Sequence, residues 1–408
     1  MSLPSEIVWL KGLFQKYYTQ NRVSLPYEAA RREFGYGTVS KIDARHGGFE
    51  NDKEFNAFLQ NQAPLFVSAS ISEYMNPSIQ PMEKKGLVGS DLIYEFDADD
   101  VETECKQEHD TWVCSHCQAK GKGHLSKCTN CGKGVKLSEW VCDVCVSATK
   151  GKTLSLVNVL QDDFGMDEKN IFVNFSGSKG YHVYVRSESI FSLPKSGRIE
   201  LMDYLSMHEM DLSLLGFNFD GKAFRCPKSV SSSGHAQRIM RELIQLVERA
   251  SEDEWTLLSG SSPRSIKSYL QNRSAWVAEI QSGYLPALPG KKTEAFWNSV
   301  LGEVVKRLHL PIDRQTSGDI HKLIRVPNTL HGNTGFIAQD VSIAQLPAHR
   351  PFEDTRVFSS LPERKILVHE CPRLSMGSFT LDPVENKEMV VPGWLAVYLV
   401  GWGAAELR

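Results

Sequence analysis

The chain lacks a surplus of basic residues. Its 46 Lys and Arg are outweighed by 49 Asp and Glu over 408 residues, a net charge of −3. Overall charge therefore gives no grip on nucleic acid, and any such grip must come from local patches or a partner. A basic segment followed by an apolar core is also missing from the start, MSLPSEIVWLKGLFQKYYTQ, so no secretory signal is expected. Long apolar runs are scarce. The one candidate, 389–405 (MVVPGWLAVYLVGWGAA), is short for a membrane span and interrupted by Pro392, Gly393 and Gly401. It reads as a packed C-terminal helix or one used by a partner, and no membrane association is expected. No fixed-period repeat or low-complexity tract is found. Cysteine is nearly absent outside one stretch: seven of nine lie from Cys105 to Cys145, with Cys226 and Cys371 isolated. That crowding points to metal rather than a secreted disulfide framework, and to a cytoplasmic location.

What is present is ordinary for a soluble globular protein, with 41% hydrophobic and 23% charged residues. The length suggests two or three domains. Residues 1–60 read as largely helical, ending in the polar stretch RREFGYGTVSKIDARHGGFEND, and 64–99 as strands. A helix is expected to close near Gly165, and IFVNF–SGSKGYH–VYVRS reads as strand, loop, strand. The fold class is α/β. A core (1–103, 147–193 and 306–408, with a terminal helix) is interrupted by a cysteine-rich insertion at 104–146 and a mainly helical subdomain at 194–305.

Three features carry chemistry. In LIYEFDADD, Leu92, Tyr94 and Phe96 alternate with Glu95, Asp97 and Asp99, which places three carboxylates on one strand face. Carboxylates so close repel, and a divalent cation relieves them while keeping positions open for phosphate; an acidic strand end facing solvent gives the same pattern. Asp313, far along the chain, offers a further carboxylate. Two glycine-containing loops, SGSKGYH (176–182) and LIRVPNTLHGNTG (323–335), hold phosphate donors: Ser176, Lys179 and His182 in the first, Arg325, Asn328, Thr329, His331 and Thr334 in the second. Three CxxC pairs, Cys114/Cys117, Cys128/Cys131 and Cys142/Cys145, have zinc spacing.

Taken in order, REFGYG with a downstream arginine, LIYEFDADD, the Cys/His cluster, SGSKGYH and IDRQTSGDIHKLIRVPNTLHG resemble the catalytic small subunit of archaeal and eukaryotic DNA primase. The similarity runs from about residue 30 to the C-terminal VVPGWLAVYLVGWGAAEL and is weakest over 194–305. It implies a primase-like α/β core with a mixed sheet. It also implies a metal triad of Glu95, Asp97 and Asp313 for Mg2+ or Mn2+. Glutamate at 95 departs from the family's aspartate, which leaves Asp99 as an alternative ligand. Triphosphate binding falls to Ser176, Lys179, His182, Arg325, His331 and Arg45. A family zinc site matches Cys105, His109, Cys142 and Cys145. Cys114, Cys117, Cys128 and Cys131 would then form a second, all-cysteine site. Pairing Cys142/Cys145 with an inner pair is the alternative, with His116 and His124 as substitute ligands.

The resemblance implies synthesis of short primers, of RNA or also of DNA, on single-stranded DNA from nucleoside triphosphates, in a replisome-associated heterodimer with a large subunit. In the family that subunit carries an iron–sulfur domain. Two other readings stand beside it: a related polymerase extending existing ends, and a zinc-dependent nucleic-acid-binding subunit without catalysis, for which Glu95 is the support.

Overall fold

A computed structural model describes residues 4–38, 41–207, 209–228, 233–288, 293–312 and 317–408. The chain forms two compact units. One comprises Met1–Val157, Asp167–Ile199 and Pro311–Arg408, and the other Asn158–Met166 and Glu200–Leu310.

Eight strands of the first unit carry the site: β1 (Phe34–Gly37), β2 (Ala44–Gly47), β3 (Phe66–Ser70), β4 (Leu92–Asp97), β5 (Ile171–Phe175), β6 (Gly180–Val185), β7 (Leu323–Arg325) and β8 (Gln339–Val341). They make two four-stranded sheets, ordered β7-β3-β1-β2 and β8-β5-β6-β4. Their pairs are all antiparallel, where a mixed sheet was expected. For β5 and β6 the reason is local: they are joined by only Ser176–Lys179, and a link that short permits only an antiparallel return. Gly177 supplies the positive φ of +78° that this turn needs. Gly180 lies so close to β4 that a Cβ there would stand 1.8 Å from the Phe96 carbonyl oxygen.

Three sequence expectations change here. FGYG and ARHG are strands of a sheet rather than the polar end of a helical region. His182 sits within β6, in register with Glu95, rather than in the loop. Asp99 lies beyond the strand on a 3-10 turn, Ala98–Asp100, so it leaves the face that Glu95 and Asp97 share. The apolar run 389–405 is divided among the end of the strand Val384–Val391, the helix Gly393–Trp402 and the start of Ala405–Leu407. Eight of that helix's ten residues are buried. No helix among the described residues is long and apolar enough to cross a membrane.

The second unit is mainly helical. In Gly234–Arg249 the buried Ile239, Met240, Leu243, Leu246 and Val247 follow helical spacing, and they pack with Trp255, Trp276, Phe296 and Trp297.

Candidate active site and metal-binding insertion

Between the two sheets opens a cavity of about 370 Å3. Into it come Glu95 and Asp97 from β4, Ser176, Ser178 and Lys179 from the β5–β6 turn, and His182 from β6. The segment 322–333 adds Lys322, Arg325, His331 and Asn333, and Lys41 lies at its wall. Residues more than two hundred positions apart thus meet in one space.

Glu95 is paired twice: Lys322 Nζ donates to its Oε2, and His182 Nε2 lies 3.4 Å from its Oε1. Among the described residues no ammonium or guanidinium pairs with Asp97. Burial, with Glu95 and Asp99 adding like charge, pushes its carboxyl up to about 7. Asp99 accepts from Lys179 Nζ at 2.5 Å, and that ammonium also lies 5.7 Å from the centre of the Trp402 ring. Burial holds His182 below the ordinary histidine range, and His331 well below it with Arg325 adding to the effect, so both imidazoles are neutral donors or acceptors. Burial brings Arg325 down to about 10, which still leaves it charged at neutral pH. Two buried nitrogens of these side chains, His182 Nδ1 and Arg325 Nη1, have no hydrogen-bond partner among the described residues.

The loops divide their labour. Ser176 Oγ accepts from the N–H groups of Ser178 and Gly180, both at 3.3 Å, and so shapes the turn. Thr334 Oγ1 donates to the Gly177 carbonyl at 2.5 Å, tying one loop to the other. Thr329 Oγ1 donates to Val326 O at 2.6 Å. The two threonines are thus engaged in holding the loops rather than free for a ligand.

Not every expected residue arrives. Arg45 is absent from the cavity lining; its Nε donates to Glu33 Oε1 at 2.8 Å and its Nη2 to His321 O at 3.3 Å. Asp313 lies outside the described residues. Lys322, Lys41, Ser178 and Asn333 line the cavity and were not singled out in the sequence. Lys322 does carry a signal, as the lysine of HKLIR three residues before Arg325.

The insertion gathers its cysteines into two sets whose ligand atoms lie within 4.8 Å of one another: Cys105, His109, Cys142 and Cys145, and Cys114, Cys117, Cys128 and Cys131. Cys105–Cys145 is 3.4 Å, His109 Nε2–Cys145 is 3.1 Å, Cys114–Cys131 is 3.5 Å and Cys117–Cys128 is 3.6 Å. A tetrahedron with zinc–sulfur bonds of about 2.3 Å has edges of about 3.8 Å, so both sets could hold such an ion. Asp110 is a positioning residue that sequence reasoning missed. Its Oδ1 meets His109 Nδ1 at 2.9 Å, which turns Nε2 toward the cysteines. Its Oδ2 takes His124 Nδ1 at 2.8 Å. Neither His124 nor His116 belongs to either set of four.

Comparison with known proteins converges on one family. Residues 138–343 match the sequence model of the family described as DNA primase small subunit. Over 98% of its length the chain is 28% identical to the DNA primase small subunit PriS of Methanothrix thermoacetophila, covering 98% of that protein. It is 27% identical to the PriS proteins of Methanococcoides burtonii and Cenarchaeum symbiosum, again over 98% of this chain and covering 97% and 98% of theirs.

Proposed function

The chain belongs to the DNA primase small-subunit family, as an archaeal-type catalytic, primer-synthesising nucleotidyltransferase of DNA replication, and on that premise we propose which groups act and on what. A small subunit implies a large-subunit partner. The substrates in this reading are a single-stranded DNA template and nucleoside triphosphates. The 3′-hydroxyl of one nucleotide loses its proton and attacks the α-phosphate of the next, and pyrophosphate leaves.

The observation that carries the reading is the meeting of Glu95 and Asp97 with Lys179, Lys322, Arg325, His182 and His331 in one cavity. The carboxylates fit a divalent cation: burial and the like charge of Glu95 and Asp99 push Asp97 up to about 7, and a bound cation would relieve that repulsion. Glu95 and Asp97, with Asp313, would hold Mg2+ or Mn2+. Such an ion supplies charge stabilisation to the attacking and leaving oxygens. The chain's own residues then orient the triphosphate. Lys179, Lys322 and Arg325 balance its charge, and the neutral His182 and His331 give directed hydrogen bonds. Zinc fits both four-ligand sets of the insertion, where it leaves no open position and serves structure.

The test is primer synthesis on unprimed single-stranded DNA with labelled nucleotides and Mn2+ or Mg2+, with the large subunit present. Product from the unaltered chain, falling to background in Asp97→Ala and in Asp313→Ala, is expected. Full activity in either variant would remove that carboxylate from the mechanism.

A further inference from the structure

The catalytic reading makes no use of the inner loop of the insertion. From Cys114 to Ser138 the sequence carries Lys120, Lys122, Lys127, Lys133 and Lys136 and no aspartate or glutamate. In a chain with more acidic than basic residues, that is a local reversal of sign. All five lysines are exposed. The insertion's ion pairs are those of His109 and His124 with Asp110 and of His124 with Glu139, and none of them uses these lysines.

The strand register puts these charges on one side. Thr111–Cys114 is the central strand, flanked by Lys120–Lys122 and Val135–Ser138. Val113 lies between Lys120 and Lys136, and Thr111 between Lys122 and Ser138. Trp112 lies between Gly121 and Leu137 on the opposite face, packed with Cys114, Cys128, Leu125 and Val135. Alternation along each strand therefore gives Lys120, Lys122 and Lys136 a common solvent face, with rows about 7 Å apart and outer strands about 10 Å apart. The other residues of that face are Thr111, Val113 and Ser138, and no aromatic ring is available to stack a base.

The insertion is rooted beside the catalytic turn. Lys106 Nζ donates to the Asp99 carbonyl at 2.8 Å. Trp140 stacks on Trp402 with ring centres 5.8 Å apart, and Trp402 is the ring near Lys179.

We propose that this lysine face grips the sugar–phosphate backbone of the single-stranded DNA template outside the cavity. The inference rests on the primase reading for the identity of the strand, because at initiation on an unprimed substrate the template is the polynucleotide present. Ammonium groups without stacking partners or base readers give an electrostatic, sequence-independent hold. This deepens the function by assigning template retention to a surface separate from the nucleotide site.

The experiment compares the full chain in complex with its large subunit against the Lys120→Gln/Lys122→Gln/Lys136→Gln variant and a matching Lys→Arg triple variant. The readout is anisotropy of a labelled oligothymidylate across a salt series. Each lost phosphate contact lowers the slope of log affinity against log salt by about 0.7 for a single strand. The glutamine variant is expected to show a slope smaller by about 2, with bound zinc unchanged, and the arginine variant to keep the wild-type slope. Equal slopes in wild type and the glutamine variant would overturn the proposal, as would an equal fall in the arginine variant. Loss of large-subunit binding with the DNA slope intact would also overturn it and make the face a protein-docking surface. Primer synthesis by the unaltered complex, measured in parallel, reports separately on the primase reading, because the slope needs no turnover.

Discussion

Asp97 has Glu95 two residues before it on β4 and Asp99 two residues after it, and it lines the cavity. Its carboxyl is pushed from an ordinary 3.8 up to about 7. The consequence for stability has a definite sign. Between those two values the folded chain keeps a proton that the unfolded chain releases, so this group's contribution to stability falls as pH rises from about 4 to about 7. Asp97→Asn removes that liability. Thermal melts without added Mg2+ or Mn2+ should therefore show the variant melting above wild type at pH 8, with the gap closing toward pH 4. Added Mn2+ should raise the wild-type midpoint and leave the variant unmoved. A gap of constant size from pH 4 to pH 8 would mean that charge is not its source.

The elements differ in how legible they were. β4 announces itself, because apolar and acidic residues alternate over LIYEFD and one face must be buried. The β5–β6 hairpin was equally readable from two apolar runs around a serine–glycine turn. β1 and β2 were not: FGYG and ARHG are short and glycine-containing, and pairing with β3 decides them more than any periodicity of their own. The pattern likewise extends the turn through His182, although that residue's register with Glu95 in β6 is what brings the two side chains together. Lys41 and Lys322 were missed because a lone lysine carries no pattern; only the fold makes them neighbours of Glu95 and Asp97. The cysteine pairs were visible from spacing. Asp110 was not, because what matters is its angle to His109. Asp110→Ala should weaken zinc holding at the Cys105, His109, Cys142 and Cys145 set by about 10- to 100-fold. Zinc release to a chromophoric chelator measures it, and unchanged release from that set would reduce the Asp110–His109 contact to local packing.

Two parts of the molecule draw their stability from different sources. The helical unit encloses a broad apolar core around Trp255, Trp276 and Trp297, which needs no ion. The inner loop of the insertion has little of this kind, with Trp112, Cys114 and Cys128 its buried centre and two of those three residues cysteines. An assembly so small holds its shape through its ligands, and metal removal becomes local unfolding. The same five lysines that give the loop its charge are trypsin sites, shielded only while the backbone is held in strands and knuckles. Limited trypsin digestion should therefore leave the zinc-loaded chain uncut between 114 and 138. After treatment with a strong zinc chelator, cleavage should begin there first, before fragments appear from the helical unit. The glutamine variant at Lys120, Lys122 and Lys136 gives an internal control, since it should shift the chelator-induced cuts to Lys127 and Lys133. Identical digestion patterns with and without chelator would show that the loop is held by its strands alone, and its cysteines would then have to be explained by something other than folding.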